Sequence, residues 1–271
     1  MFIRLANILG ILLFLSFTLF SFQNCSQDVQ FSDHENLLVS QNVDLVHPDN
    51  NTHVPGTPVD VLPPNPIQTV CNPLDPSQMC DMGSNAGLMG KLYYLMTNQA
   101  NTFNGSLNNA SMDDYKEFGT AVLADIIMTE INISPRSWES GFYVNEDDLV
   151  QNSDGEDLLE WFHLDLVGEV SLPAGDYQIA TISDDGIRVT VNDSIFINND
   201  STHSPKWDCS SQIISFTEDE SKTIRVEYFQ GPRTQIALQL FVRSVEEGET
   251  SCSENSGNFE ILPGSALSHT K

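Results

Sequence analysis

Several stretches of this chain alternate apolar and polar residues with a period of two. The segment Phe162-His163-Leu164-Asp165-Leu166-Val167 does so for most of its length, as do Tyr177-Gln178-Ile179-Ala180-Thr181-Ile182 and Ile187-Arg188-Val189-Thr190-Val191. Successive side chains of a strand point to opposite faces, so this period predicts half-buried strands. Polar turns separate them: Leu172-Pro173-Ala174-Gly175-Asp176, Ser183-Asp184-Asp185-Gly186, and Asn192-Asp193, the last leading into Ser194-Ile195-Phe196-Ile197. Two further strands, 223–229 and 236–242, flank the loop Gln230-Gly231-Pro232-Arg233-Thr234. Upstream, 89–95 is a strand candidate rich in aromatics. Residues 111–130 hold the one helix expected, with Tyr115, Phe118, Val122 and Ile126 at helical spacing and Ser111, Asp113 and Asp114 at its start. Many short alternating strands joined by polar turns predict an all-β fold, an antiparallel sandwich or barrel with one short helix.

The pattern also assigns faces. Tyr177, Ile179 and Thr181 share one side of their strand, and Ile187, Val189 and Val191 one side of the next. Two such faces opposed make a sandwich core. Pro173-Ala174-Gly175 is expected to close a hairpin, with Gly175 available for a positive φ.

The first 25 residues have another character. After Arg4, residues 5–22 are almost entirely apolar and the run ends in Ser21-Phe22-Gln23-Asn24-Cys25. That is the pattern of an export signal, with an uncleaved membrane anchor as the alternative. A cysteine at the end of such a run resembles a bacterial lipobox, which implies lipidation of Cys25; Phe22 and Asn24 depart from the usual residues there. Ser26 after the cysteine implies outer-membrane sorting. The expected location is therefore exported and membrane-anchored, at the outer membrane or cell surface of a bacterium. Residues 26–83 are expected to be an acidic tether, because Pro48, Pro55, Pro58, Pro63, Pro64 and Pro66 break any helix or central strand. The β domain is expected over 84–246, and 247–271, without periodicity, as a flexible tail.

Four cysteines follow Cys25: Cys71, Cys80, Cys209 and Cys252. An even number in an exported chain predicts two disulfides. Cys80 with Cys252 would staple the domain's ends and leave Cys71 with Cys209; the local alternative is Cys71 with Cys80 and Cys209 with Cys252. No Cys-x-x-Cys pair supports a zinc site.

With 11 Lys+Arg against 38 Asp+Glu the formal charge is −27. Such a surface repels phosphate backbones, which argues against nucleic acid as a partner. It would also avoid anionic headgroups, leaving the N-terminal lipid or anchor as the membrane contact. An EF-hand reading of Asn152-Ser153-Asp154-Gly155-Glu156-Asp157 fails, because Val150 and Trp161 fall where carboxylates are required. The six histidines show no His-Glu-x-x-His spacing and no serine lies in a Gly-x-Ser-x-Gly setting, so no enzyme is expected. Trp138, Trp161 and Trp207 have the rings to stack on sugars, although in a β domain such residues more often fill the core.

The run from Val167-Gly168-Glu169 through Pro173-Ala174-Gly175-Asp176-Tyr177, followed by Ile182-Ser183-Asp184-Asp185-Gly186-Ile187, resembles the core of the protective-antigen (PA-fourteen) domain. Gly87-Leu88-Met89-Gly90-Lys91-Leu92-Tyr93-Tyr94 and Ile224-Arg225-Val226-Glu227-Tyr228-Phe229 match its usual order. The resemblance covers more than half of the chain and implies a sandwich of that type. In the family's calcium-dependent lectins two consecutive aspartates joined by a cis peptide bind Ca²⁺, which helps hold sugar hydroxyls. The resemblance thus implies Asp184 and Asp185 as metal-binding and ligand-binding residues, Ca²⁺ as cofactor and a glycan or cell-envelope component as partner. Those lectins complete the ion site from a second loop with Asn or Asp. Here that loop, 230–235, has neither and carries Arg233, so Asn198, Asn199, Asp200 or backbone carbonyls would have to serve. Ser-Asp-Asp-Gly is also a good turn with no metal at all. Two functions follow: a carbohydrate-binding or adhesive surface module, or a metal-free structural or protein-interaction module of the cell envelope.

Overall fold

The computed structural model describes residues 68–75, 80, 84–122, 124–139, 141, 149–152, 155–246, 248, 251–254 and 257–270. Residues 1–67, with Cys25 and most of the expected tether, lie outside them. No helix among the described residues is long and apolar enough to cross a membrane. In chain order the strands are β1 (Gln68–Cys71), β2 (Leu88–Tyr94), β3 (Thr120–Ala121), β4 (Ala124–Met128) and β5 (Asn132–Ser137). Then follow β6 (Phe162–Val170), β7 (Gly175–Asp184), β8 (Ile187–Val191), β9 (Ser194–Asn199) and β10 (Lys206–Cys209). The remainder are β11 (Ile214–Phe216), β12 (Lys222–Gln230), β13 (Gln235–Ser244), β14 (Glu260–Ile261) and β15 (Leu267–Ser268).

These strands form a mostly antiparallel β-sandwich, as the alternation predicts. The larger sheet runs β1-β4-β2-β6-β12-β8-β9, with β3 on β2 and β15 on β6. The smaller runs β10-β7-β13-β14, with β11 on β7 and β5 on β13. Between them lie Leu92, Leu164, Leu166, Val189, Val226 and Tyr228 from the larger sheet and Ile179, Ile236, Leu238 and Leu240 from the smaller, all buried. Each such aliphatic side chain removed from water contributes about 1.5–3 kcal/mol. The expected faces hold: Ile179 and Thr181 turn inward opposite Val242 and Leu240, and Ile187, Val189 and Val191 form the buried side of β8.

The helix is shorter than its spacing predicts. It spans Met112–Phe118 (α1), with the Ser111 hydroxyl accepting from Asp114 N and the Asp114 carboxylate accepting from Ser111 N. Gly119 closes it, and Val122 and Ile126 then lie in extended chain, Ile126 buried on β4. Residues four apart also share one face of an extended chain, which is why the period misled beyond Phe118.

The helix and the 3-10 turns before it cover one end of the larger sheet's outer face. Leu95, Phe103, Leu107, Met112 and Tyr115 form a second small core there with Phe229. Beside it the buried Glu227 carboxylate accepts from Arg188 Nε at 2.6 Å and Lys116 Nζ at 2.6 Å. Burial works to raise the Glu227 pKa, but these two bonds outweigh it and hold the value at about 2. The pairing fixes α1 on the sheet.

Two expectations about the domain's edges are corrected, and the cysteine pairing left open by the sequence is decided. β1, from the stretch assigned to the tether, pairs parallel with β4. Beyond 246, β14 pairs with β13, β15 pairs with β6, and Leu262, Leu267 and His269 are buried, so 257–270 belongs to the sandwich rather than to a flexible tail. The disulfides follow the local alternative, Cys71–Cys80 and Cys209–Cys252, rather than the staple between the domain's ends.

Candidate functional site

The turn 184–186 is where the chain leaves one sheet for the other. β7 pairs with β10 and β13 in the smaller sheet, whereas β8 pairs with β12 and β9 in the larger. Strands joined by so short a turn therefore face each other across the core instead of forming a hairpin, and the turn sits at the sandwich rim. The Asp184–Asp185 peptide bond is cis. Gly186 is demanded by packing. A Cβ there would lie 2.1 Å from the Phe229 ring and 2.9 Å from the Asn199 carbonyl oxygen.

The two carboxylates do different things. Asp185 Oδ1 accepts from the backbone N–H of His203 at 2.8 Å, and Oδ2 from the backbone N–H of Gly231 at 2.6 Å. Desolvation is the dominant influence on Asp185 and raises its pKa, although these two bonds pull it down. Asp184 is 2% exposed, and its Oδ2 is buried with no hydrogen-bond partner. Burial and then the neighbouring Asp185 charge push its pKa from 3.8 up to about 7. The carbonyl oxygen of Asp184 accepts from the Tyr228 hydroxyl, which also reaches Gln230 Oε1.

The loop 230–235 approaches the aspartates, as the resemblance implies, but brings donors rather than oxygens. Gly231 N and the Gln230 side-chain amide both face Asp185 Oδ2. The backbone N–H of Arg233 is held by Glu160, and its side chain lines a neighbouring cavity of about 390 Å³ with Trp161 and Tyr94. Of the alternative oxygen sources, Asn198 is exposed on β9. Asp200 accepts from Met112 N and thereby holds the start of α1. Asn199 packs beside Gly186; its Oδ1 accepts from the Ser201 hydroxyl and its buried Nδ2 has no partner.

The fit to Ca²⁺ can be judged from these donors. The ion takes six to eight hard oxygen ligands. The orphaned Asp184 Oδ2 beside a second desolvated carboxylate is the kind of oxygen a divalent cation would satisfy. In number the set is short, since no group of three or more His, Cys, Asp or Glu residues is placed to hold a metal among the described residues.

The tryptophans divide between roles. Trp138 is buried in the main core. Trp207 is half-buried between Phe241 and Phe259, with ring centroids 5.2 Å away on either side. Trp161 has φ of 59°, and its backbone N–H donates to the Gly231 carbonyl at 3.3 Å, one residue's reach from Asp185. His163 is on the outer face of β6 and is buried there beneath the Tyr115 ring. The contributions of His203, Tyr228 and Gly231 had no signal in the sequence, because backbone donors and cross-sheet partners are set by tertiary approach.

No protein-family profile matches the chain, and no curated protein does. Among solved structures, an anti-sigma factor domain-containing protein aligns over 70% of this chain and 49% of its own, with 20% identity and a TM-score of 0.45; the chain thus spans about half of that relative's length. The PA14 sugar-binding domain from an RTX adhesin aligns over 68% of this chain and 99% of its own, with 20% identity and a TM-score of 0.48. The epithelial adhesin 6 A domain from Candida glabrata, in complex with Galβ1-3GlcNAc, aligns over 75% of this chain and 93% of its own, with 16% identity and a TM-score of 0.45.

Proposed function

We propose that this protein is a cell-envelope module that binds carbohydrate at the rim of its β-sandwich, with Asp184 and Asp185 at the centre of the site and Ca²⁺ as the ion they hold. The observation that carries this reading is the buried, unpartnered Asp184 Oδ2 beside a second carboxylate. A lone acceptor of this kind costs about 1–3 kcal/mol when nothing satisfies it, and the two charges repel. A cation would relieve both costs and, if bound, would supply a Lewis-acidic centre for vicinal sugar hydroxyls. Asp185 would position the pair through its bonds to His203 N and Gly231 N. Under the same reading the N-terminal segment anchors the module to a bacterial membrane through a lipid on Cys25, with the stretch after it as spacer.

The test is retention of the full chain on immobilised glycans with Ca²⁺ or EDTA, using Asp184→Asn. Retention that needs Ca²⁺ and Asp184 is the expected result, and retention unchanged in EDTA would sink this version. Release of Cys25→Ser protein from membranes is the corresponding expectation for the anchor, and persistence in the membrane fraction points to a retained apolar segment.

One observation favours a second reading, a metal-free structural or protein-interaction module. Both oxygens of Asp185 already accept backbone N–H groups, which is how an aspartate serves a turn without any ion. That reading expects a melting temperature indifferent to millimolar Ca²⁺.

A further inference from the structure

The half of the larger sheet's outer face that α1 leaves uncovered carries a cavity of about 740 Å³. Strand register builds its floor. Met89, Val167, Arg225 and Thr190 lie side by side across β2, β6, β12 and β8, and Lys91 and Asp165 form the adjoining row. Asp125 from β4 closes one edge, and the C-terminal His269-Thr270 forms part of the wall.

The polar groups here are arranged rather than scattered. Arg225 grips Asp165 through Nε and a terminal nitrogen, and Lys91 pairs with Asp125. His269 is 4% exposed, and its Nδ1 sits 3.1 Å from the Gly87 carbonyl oxygen. That carbonyl can only accept, so Nδ1 is the donor in this contact. Nε2 is buried with no partner, and His269 lines the cavity. Between these groups Val167, 48% exposed, offers a bare aliphatic surface.

The chemistry selects a ligand class. Both cations already hold carboxylates, and Glu169 and Asp193 add negative charge, so an anion would be repelled. No group of three or more His, Cys, Asp or Glu residues among the described residues is placed to hold a metal ion in this groove. Sugar hydroxyls both donate and accept, and sugar rings present C–H faces. A groove that mixes guanidinium and ammonium donors, carboxylate acceptors, threonine hydroxyls and an aliphatic patch matches that pattern. Its volume lies within the range of roughly 300–1,000 Å³ usual for small-ligand sites. We propose that this groove is a second carbohydrate site, taking a neutral oligosaccharide without a metal ion and independently of the aspartate turn.

The experiment is titration calorimetry of the full chain in a non-glycosidic detergent with EDTA present, against neutral cello-, malto-, chito- and galacto-oligosaccharides. The expected result is saturable binding that survives Asp184→Asn. It should weaken about tenfold or more, a loss of ~1.4 kcal/mol, in Val167→Trp and in Thr190→Trp, each of which would fill the groove. Val167 is exposed, so its variant should keep the wild-type melting temperature; the Thr190 variant provides an independent reading. No binding to any of these sugars in EDTA would overturn the proposal, as would binding indifferent to both tryptophans. Binding that appears only with Ca²⁺ and requires Asp184 would support the aspartate turn and remove the groove.

Discussion

The backbone N–H of Gly231 donates to Asp185 Oδ2 at 2.6 Å, and this bond ties the turn between β7 and β8 to the loop between β12 and β13. Together with the bond from His203 N it makes Asp185 the acceptor on which three chain segments converge. Asp185→Ala is therefore expected to leave two N–H groups without their partner and to cost about 2–4 kcal/mol. Thermal unfolding should show a fall of several degrees whether or not Ca²⁺ is present. Asp184→Asn should leave these bonds intact, so the two substitutions separate architecture from binding.

The pH dependence of stability should hide two opposed contributions. Asp184 has a pKa raised from 3.8 to about 7 by burial and the Asp185 charge, so the folded state retains a proton that the unfolded chain has lost; stability falls as pH rises through that window. His163 has its pKa lowered from 6.5 to about 4, chiefly by burial against the pull of Asp165 and Glu227, so its contribution is lost as pH falls from 6.5 toward 4. In wild type these two slopes oppose each other between pH 4 and 6.5. Asp184→Asn should grow more stable with rising pH and His163→Gln less stable, as read by denaturant midpoints. Parallel profiles for all three proteins would contradict this.

Gly186→Ala should be poorly tolerated, because its new Cβ would meet the Phe229 ring and the Asn199 carbonyl oxygen. Overpacking of this kind costs about 1–3 kcal/mol. Phe229 stacks on Tyr115 at 5.7 Å, so the loss should spread to α1 and show as faster amide exchange there.

The two disulfides should differ in weight. Cys209–Cys252 closes a separation of 43 residues and Cys71–Cys80 one of 9. Loop-closure entropy grows with length, so removing the longer bridge should cost about 1 kcal/mol more than removing the shorter. Non-reducing peptide mapping should recover these two pairs, and melting of the paired Cys→Ser variants should rank them.

Much of the sandwich is legible in the sequence. The alternating runs 162–167, 187–191 and 223–229 each became a strand, because period-two burial is written residue by residue. The aspartate turn was legible in the same way, as polar residues and a glycine between two such runs. The helix was only partly so. Tyr115 and Phe118 belong to it, while Ile126 belongs to a strand whose partners, β1 and β2, lie far along the chain. The two strands contributed by 257–270 were invisible, since Leu262 and Leu267 show no period and gain their burial from β13 and β6.

Sequence alone thus determined that the chain makes strands, which faces of them are apolar, and that two aspartates sit in one turn. Those properties are local, encoded in neighbouring residues. Tertiary structure decided that this turn crosses between sheets, that Gly231 and His203 satisfy Asp185 while Asp184 keeps an unpartnered oxygen, and that Cys209 meets Cys252. Each of these depends on segments brought together by burial of the core, and no local pattern records which segments meet.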